Sequence, residues 1–153
     1  MAGVAGESSG RVRRPHGIDI DDVRLAAFWS VRLLCALTTM RADGRPHVVP
    51  VGATLDVPGA LVRVITSGDS VKARQVARAG EQGAPIAVCQ FDGRYWCTIE
   101  GQAVVLSDAE SVADAERRYA QRYRVPAPNP SRVVLAARIT RILGTIPELG
   151  TAG

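Results

Sequence analysis

The chain has 153 residues, 46% of them apolar and 22% charged, which are the proportions of one soluble globular domain with a proper core. No apolar run approaches the length of a membrane span, and the first seventeen residues lack the hydrophobic stretch of a secretory signal, so a soluble, cytoplasmic protein is expected. The net charge of +4 suits an anionic ligand. Nucleic acid is the rival partner, but aromatic residues are only 5% of the chain, too few for a base-stacking platform, and the arginines are scattered.

Residues 1–17 are rich in Gly, Ser and Arg and read as a disordered leader. Residues 18–147 read as one folded domain, and 148–153 as a flexible tail. Residues 19–32 carry apolar side chains at helical spacing, with Asp in the first turn where it suits the dipole. Residues 34–40 follow as a strand, and Asp43-Gly44 marks a hairpin turn. The Val-rich run 46–55 reads as one second strand, and 60–66 as a third. Ser70 can cap a helix over 71–79, which Gly80 to Gly83 would end. Residues 85–91 and 94–106 form a second hairpin around Asp92-Gly93. Gly101 inside the long strand marks a bulge or a close approach. Ser107-Asp108-Ala109-Glu110 reads as a capping box opening a helix to Tyr123. The stretch 124–131, with three prolines, must be a loop, and 132–143 is the last strand. This order gives a mainly β fold with short helices: a closed antiparallel barrel of six strands.

The three cysteines, Cys35, Cys89 and Cys97, are widely spaced in apolar surroundings and read as buried thiols, with no metal-site spacing. Only one of the 19 basic residues is a lysine, Lys72, a compact ammonium kept against an arginine background. It ends the segment Arg63-Val64-Ile65-Thr66-Ser67-Gly68-Asp69-Ser70-Val71-Lys72. There a strand ends, a Gly loop turns and a helix starts, which is the arrangement of an anion cradle. Thr66, Ser67 and Ser70 add hydroxyls, and Arg63 could point to the same side. Asp69 is discordant with an anion and is expected to cap the helix or to face solvent. The plainer reading is a capped helix after a strand, with surface hydroxyls. Pro50 implies an edge or a break in pairing, where a planar ring could rest. His47 is tempting as an acid, although a lone strand histidine is more often structural.

The stretches LTTMRADGRPHVVPVG, RVITSGDSVK, DGRYWCTIEGQA and RYAQRYRVPAPNPSRVV occur in that order. Together they resemble the pyridoxamine 5′-phosphate oxidase-like split β-barrel superfamily, with an FMN-binding-protein-like fold. The pattern is most similar to its branch using the deazaflavin coenzyme F420, and within it to the F420-dependent biliverdin reductases; the last stretch is the narrower marker. The resemblance implies a homodimer with cofactor sites in grooves between subunits. Phosphate would meet Thr66, Ser67, Gly68, Asp69, Ser70, Val71 and Lys72, with Ala73, Arg74 and Gln75 nearby. The ring would rest along His47, Val48, Val49, Pro50 and Gly52, and Gln102 and Ala103 would come from the partner subunit. Arg122, Arg124, Asn129 and Arg132 would line the substrate mouth or meet the cofactor's polyglutamate tail. The activity implied is hydride transfer from reduced F420 to biliverdin or a similar anionic acceptor, with no metal and no named catalytic side chain. FMN chemistry on the same barrel, and a cofactor- or tetrapyrrole-binding protein without turnover, are the alternatives.

Overall fold

Alternating burial along the strands sets the architecture. In β1 (Cys35–Met40) the side chains of Cys35, Leu37 and Thr39 are buried and those between them are not, as a half-covered strand requires. The computed structural model describes residues 16–150. After β1 come β2 (Pro46–Val51), β3 (Ala53–Asp56), β4 (Leu61–Ser67), β5 (Ala84–Asp92), β6 (Tyr95–Leu106) and β7 (Arg132–Thr145). Three helices interrupt them: α1 (Val23–Ser30), α2 (Val71–Ala77) and α3 (Ala109–Arg122), with a short 3-10 turn at Gly80–Gln82. All pairings are antiparallel, in the order β2-β1-β5-β6-β7-β4-β3.

The edge strands β2 and β3 lie at opposite ends of this order, yet only Gly52 separates them in the chain. The sheet must therefore curl until its two edges meet, giving the split-barrel form. Here the structure corrects the expected six strands. The run 46–55 is two strands: β2 pairs with β1, and β3 pairs with β4.

Inside the curl lie Leu37, Val62, Val64, Val88, Ile99, Leu135 and Ala137, and Leu25, Phe28 and Trp29 of α1 and Ala73 and Val76 of α2 join this core. Outside, α3 covers β7 and β4 through Ala115, Val134 and Ala136, with Ile65, Leu106 and Val112 packed against them. That is why β7 is buried from Val133 to Ala137 without alternation: odd positions face the inner core and even ones face α3.

Several local expectations hold. Ser70 caps α2 by accepting from the Ala73 N–H (3.2 Å). The β6–β7 register shifts between Glu100 and Gly101. A Cβ at Gly101 would stand 2.6 Å from the Arg138 carbonyl oxygen, so the bulge needs glycine. The α3 cap is one residue later than expected: Asp108, not Ser107, accepts from the Ser111 N–H (3.0 Å). Residues at the borders of the expected leader and tail make contacts with the fold. Gly17 bridges Leu143, and the Ile18 N–H donates to the Ile142 carbonyl (3.0 Å). Glu148 pairs with Arg24 at 2.8 Å. Residues 1–15 and 151–153 of those segments lie outside the described residues.

Candidate functional site

Where the sheet edges meet, β2, β4, α2 and the loop after α3 enclose a groove of about 310 Å³. Its lining brings together eight of the expected site residues: Pro50 and Gly52, Thr66 and Ser67, Lys72, and Arg124, Asn129 and Arg132. No lining residue is acidic, and none is a histidine or cysteine. Lys72 and Arg124 have no ion-pair partner among the described residues. Burial depresses the Lys72 ammonium below its ordinary value. A cation that gives up hydration without gaining a protein partner is prepared for an incoming anion.

The loop is fixed by side chains rather than by chance. Asn129 donates from Nδ2 to the Ser67 hydroxyl (2.8 Å) and accepts from the Ser131 N–H (3.0 Å) and hydroxyl (2.9 Å). Arg132 donates to the Ala127 carbonyl (2.7 Å) and faces Glu116 at 3.6 Å. Thr66 and Ser70 share a hydroxyl hydrogen bond of 3.0 Å. Ser67, acting as acceptor for Asn129, keeps its own O–H free to donate.

The cradle differs from the expected backbone nest. The Gly68 N–H already donates to the Ser131 carbonyl (2.8 Å), and the Ser70 N–H donates to Ser67 (3.1 Å). Gly68 and Asp69 face solvent, as expected for Asp69. Helix α2 has only seven residues, too short for a strong dipole. Charge for an anion therefore comes from Lys72 and Arg124, with hydroxyls as second donors.

Other expected residues lie elsewhere. Arg63 turns away and pairs with Asp56 (2.9 Å), which also faces Arg118 (3.5 Å). Val71, Arg74 and Gln75 line a separate cleft against the β1–β2 hairpin, beside Arg41, Arg45 and Arg78. Gln75 is buried and accepts a short hydrogen bond from the Thr39 hydroxyl, so its side chain serves the core. Val48 and Val49 share an apolar cleft with Leu34 and Phe91. His47 stands opposite Thr39 on β2, with a buried Nδ1 that has no partner. Ala103 is fully buried in the core of its own chain and Gln102 stands opposite Pro85 and Arg138, so neither lines this groove. Arg122 is also inside the protein, not at the mouth: its guanidinium binds the carbonyls of Val31 and Ala53.

Five lining residues, Val51, Ile65, Tyr119, Pro126 and Ala127, were not among the expected site residues, and Tyr119 shapes the groove most. Tyr119 packs on Gly52, where a Cβ would stand 2.7 Å from its ring, and Tyr123 lies beside it at 3.0 Å. The signal was present, since a spacing of four residues puts both rings on one helix face. The cysteines are free thiols, and burial pushes Cys97 up to about 11. Among the described residues no cluster of three potential ligands could hold a metal, and no helix is long and apolar enough to cross a membrane.

The donors suit a phosphate-bearing cofactor by their chemistry: Lys72, Arg124 and the hydroxyls of Thr66 and Ser67 line the groove, and Gly52 lets the Tyr119 ring lie against the backbone as one wall.

Comparison with known proteins agrees. Residues 22–145 match the family model for pyridoxamine 5′-phosphate oxidase. An F420H(2)-dependent biliverdin reductase of Mycobacterium tuberculosis is 51% identical over 127 residues, covering 82% of this chain and 89% of that protein. Among solved structures, a conserved hypothetical protein of M. tuberculosis superposes with a TM-score of 0.69 at 18% identity, over 92% of this chain and 96% of the other. An F420 reductase superposes at 0.60 and 21% identity, over 76% of this chain and 93% of the other. At those identities the superpositions speak for the fold alone. The chain belongs to the pyridoxamine 5′-phosphate oxidase family of split β-barrels, in the branch that contains the F420H(2)-dependent biliverdin reductase.

Proposed function

We propose that this chain is an F420-dependent oxidoreductase that reduces biliverdin or a similar conjugated anion, with its cofactor in the groove between Gly52 and Lys72. The observation that carries this reading is a groove with no acid and with two cations that have no ion-pair partner among the described residues, in a chain 51% identical to a biliverdin reductase of that kind. Lys72 and the Ser67 hydroxyl hold the phosphate, and Pro50 and Gly52 form the wall against which the ring lies. Arg124 stands at the mouth, where it meets a carboxylate of the substrate or of the cofactor's tail.

When bound, reduced F420 supplies a hydride for the acceptor's central methine carbon. The protein's own part is binding, orientation and exclusion of water. No carboxylate, histidine or thiol lines the groove, and in this reading the accompanying proton is drawn from solvent, with no side chain assigned as the acid.

A homodimer suits the surface beside this site. Leu34, Val48 and Phe91 are 65%, 58% and 63% exposed and flank the edge strand β2, an apolar patch that a second copy would cover. The partner would then bring Gln102 toward the neighbouring groove. Free thiols and the absence of an apolar spanning helix among the described residues fit a cytoplasmic setting.

Titration of the purified protein with F420 and, separately, with FMN tests the cofactor. Fluorescence quenching by F420 in the micromolar range or tighter, with weaker binding of FMN, is expected. Tight FMN with no F420 binding would leave the family and sink the assignment.

A further inference from the structure

Arg122 is the only buried cation among the described residues, and it has no carboxylate partner. A guanidinium taken out of water in this way is tolerable only when its donors are satisfied. They are. Nε and Nη2 donate to the Val31 carbonyl (3.0 and 2.9 Å), Nη1 to the Ala53 carbonyl (2.6 Å), and Nη2 also to Gln90 Oε1. The indole of Trp29 and the ring of Tyr123 lie 5.1 and 5.0 Å from its central carbon. Gln90 is itself fully buried and tied by Nε2 to the Phe28 carbonyl (2.9 Å).

The next residue completes the hold. Tyr123 accepts from the Ala53 N–H (3.2 Å) and donates its hydroxyl to the Leu33 carbonyl (2.7 Å). Both backbone polar atoms of Ala53 are therefore bound by consecutive residues at the end of α3. Tyr119, one turn earlier, stacks on Tyr123 at 5.0 Å and covers Gly52. The step held is the one where the chain leaves one sheet edge for the other, and it forms a wall of the groove. One rigid guanidinium joins the Val31 and Ala53 carbonyls and Gln90 Oε1, so beyond its share of stability it fixes these three segments relative to one another.

We propose that Arg122, braced by Gln90, is a positioning residue of the groove: it fixes the Gly52–Ala53 step and Tyr119 so that the ligand wall has its shape before a ligand arrives. This rests on reading the groove as the cofactor site. Arg122 touches no ligand and acts through Ala53 and, by way of Tyr123, through Tyr119.

The test compares Arg122→Met, Arg122→Lys and Gln90→Met with the parent, each well below its own melting temperature. In the ligand-free proteins, amide hydrogen exchange should accelerate at Gly52 and Ala53 by roughly tenfold or more in Arg122→Met, with the rest of the barrel protected. The dissociation constant for F420 should rise roughly tenfold, KM for F420H2 should rise with it, and kcat should change less. Arg122→Lys should fall between, since an ammonium keeps the charge but not the fork. If Arg122→Met fails to fold, Arg122→Lys and Gln90→Met carry the same readouts. Native exchange at Gly52 and Ala53 with parental F420 affinity would overturn the proposal, as would acceleration spread evenly over the barrel. A parent that binds no F420 would instead refute the cofactor reading, while the exchange result would still decide the positioning role.

Discussion

At the scale of single residues, Gly52 and Lys72 carry the most. Gly52 is needed for space, since its missing side chain is where Tyr119 and Tyr123 lie. Tyr123 is pinned by hydrogen bonds to Leu33 and Ala53, so a new methyl must drive Tyr119 into the groove. Gly52→Ala should cost about 1–3 kcal/mol in urea unfolding, the usual range for overpacking, and should weaken F420 binding more than the stability loss explains. Lys72 has the opposite balance. Its folded-state value lies below its unfolded value through burial, so the folded chain binds fewer protons between the two, and its share of stability improves as pH rises through that window. At neutral pH its charge is a cost that a bound anion relieves. Lys72→Met should therefore melt no lower than the parent without ligand, yet bind F420 about tenfold or more weakly, from the ~1.5–3 kcal/mol of a charge-assisted hydrogen bond. Lys72 was legible because it is the single lysine in the sequence. Arg122 was not, because arginine is almost never fully buried and nothing local announces that carbonyls from three other segments will surround it.

Elements show where sequence reading stops. The bulge at Gly101, the cap at Ser70 and both Asp-Gly turns rest on local backbone chemistry and appear where the residues put them. The break at Gly52 does not. The run 46–55 is continuous in strand-forming residues, and only the choice of partner, β1 for one half and β4 for the other, divides it. Pairing partners are a property of the closed sheet. The ion network on β3, β4 and α3 is of the same kind. Burial alone would raise the Asp56 carboxyl, but Arg63, the Gly59 N–H and Arg118 outweigh it and hold it below the ordinary 3.8. Its contribution is complete above the unfolded value and is lost as pH falls through the lower folded one. Asp56→Asn should cost about 3 kcal/mol at neutral pH, as breaking a buried pair does. Below about pH 4 the gap to the parent should narrow in denaturation measured across pH. A gap that stayed constant with acidification would show that the carboxylate charge is not what holds Arg63.

For the whole molecule, the curl of the sheet explains why distant segments make one site. Closing β2 against β3 brings Pro50 and Gly52 to Thr66 and Lys72, and α3 delivers Arg124 and Asn129 to the same place. The sequence suggested each segment separately; the closure assembles them. The apolar patch of Leu34, Val48 and Phe91 gives a prediction at this scale. If the proposed homodimer forms through this patch, the parent should sediment as a dimer and Phe91→Glu as a monomer in analytical ultracentrifugation, and an unchanged dimer would place the interface elsewhere. The central claim is that the groove serves reduction of a conjugated anion by a deazaflavin. The most direct measurement is anaerobic mixing of the protein with reduced F420 and biliverdin, following both chromophores. Stoichiometric formation of oxidised F420 and bilirubin, lost with Lys72→Ala at subsaturating cofactor, is predicted. Persistence of both reactants beside protein that demonstrably binds F420 would contradict it.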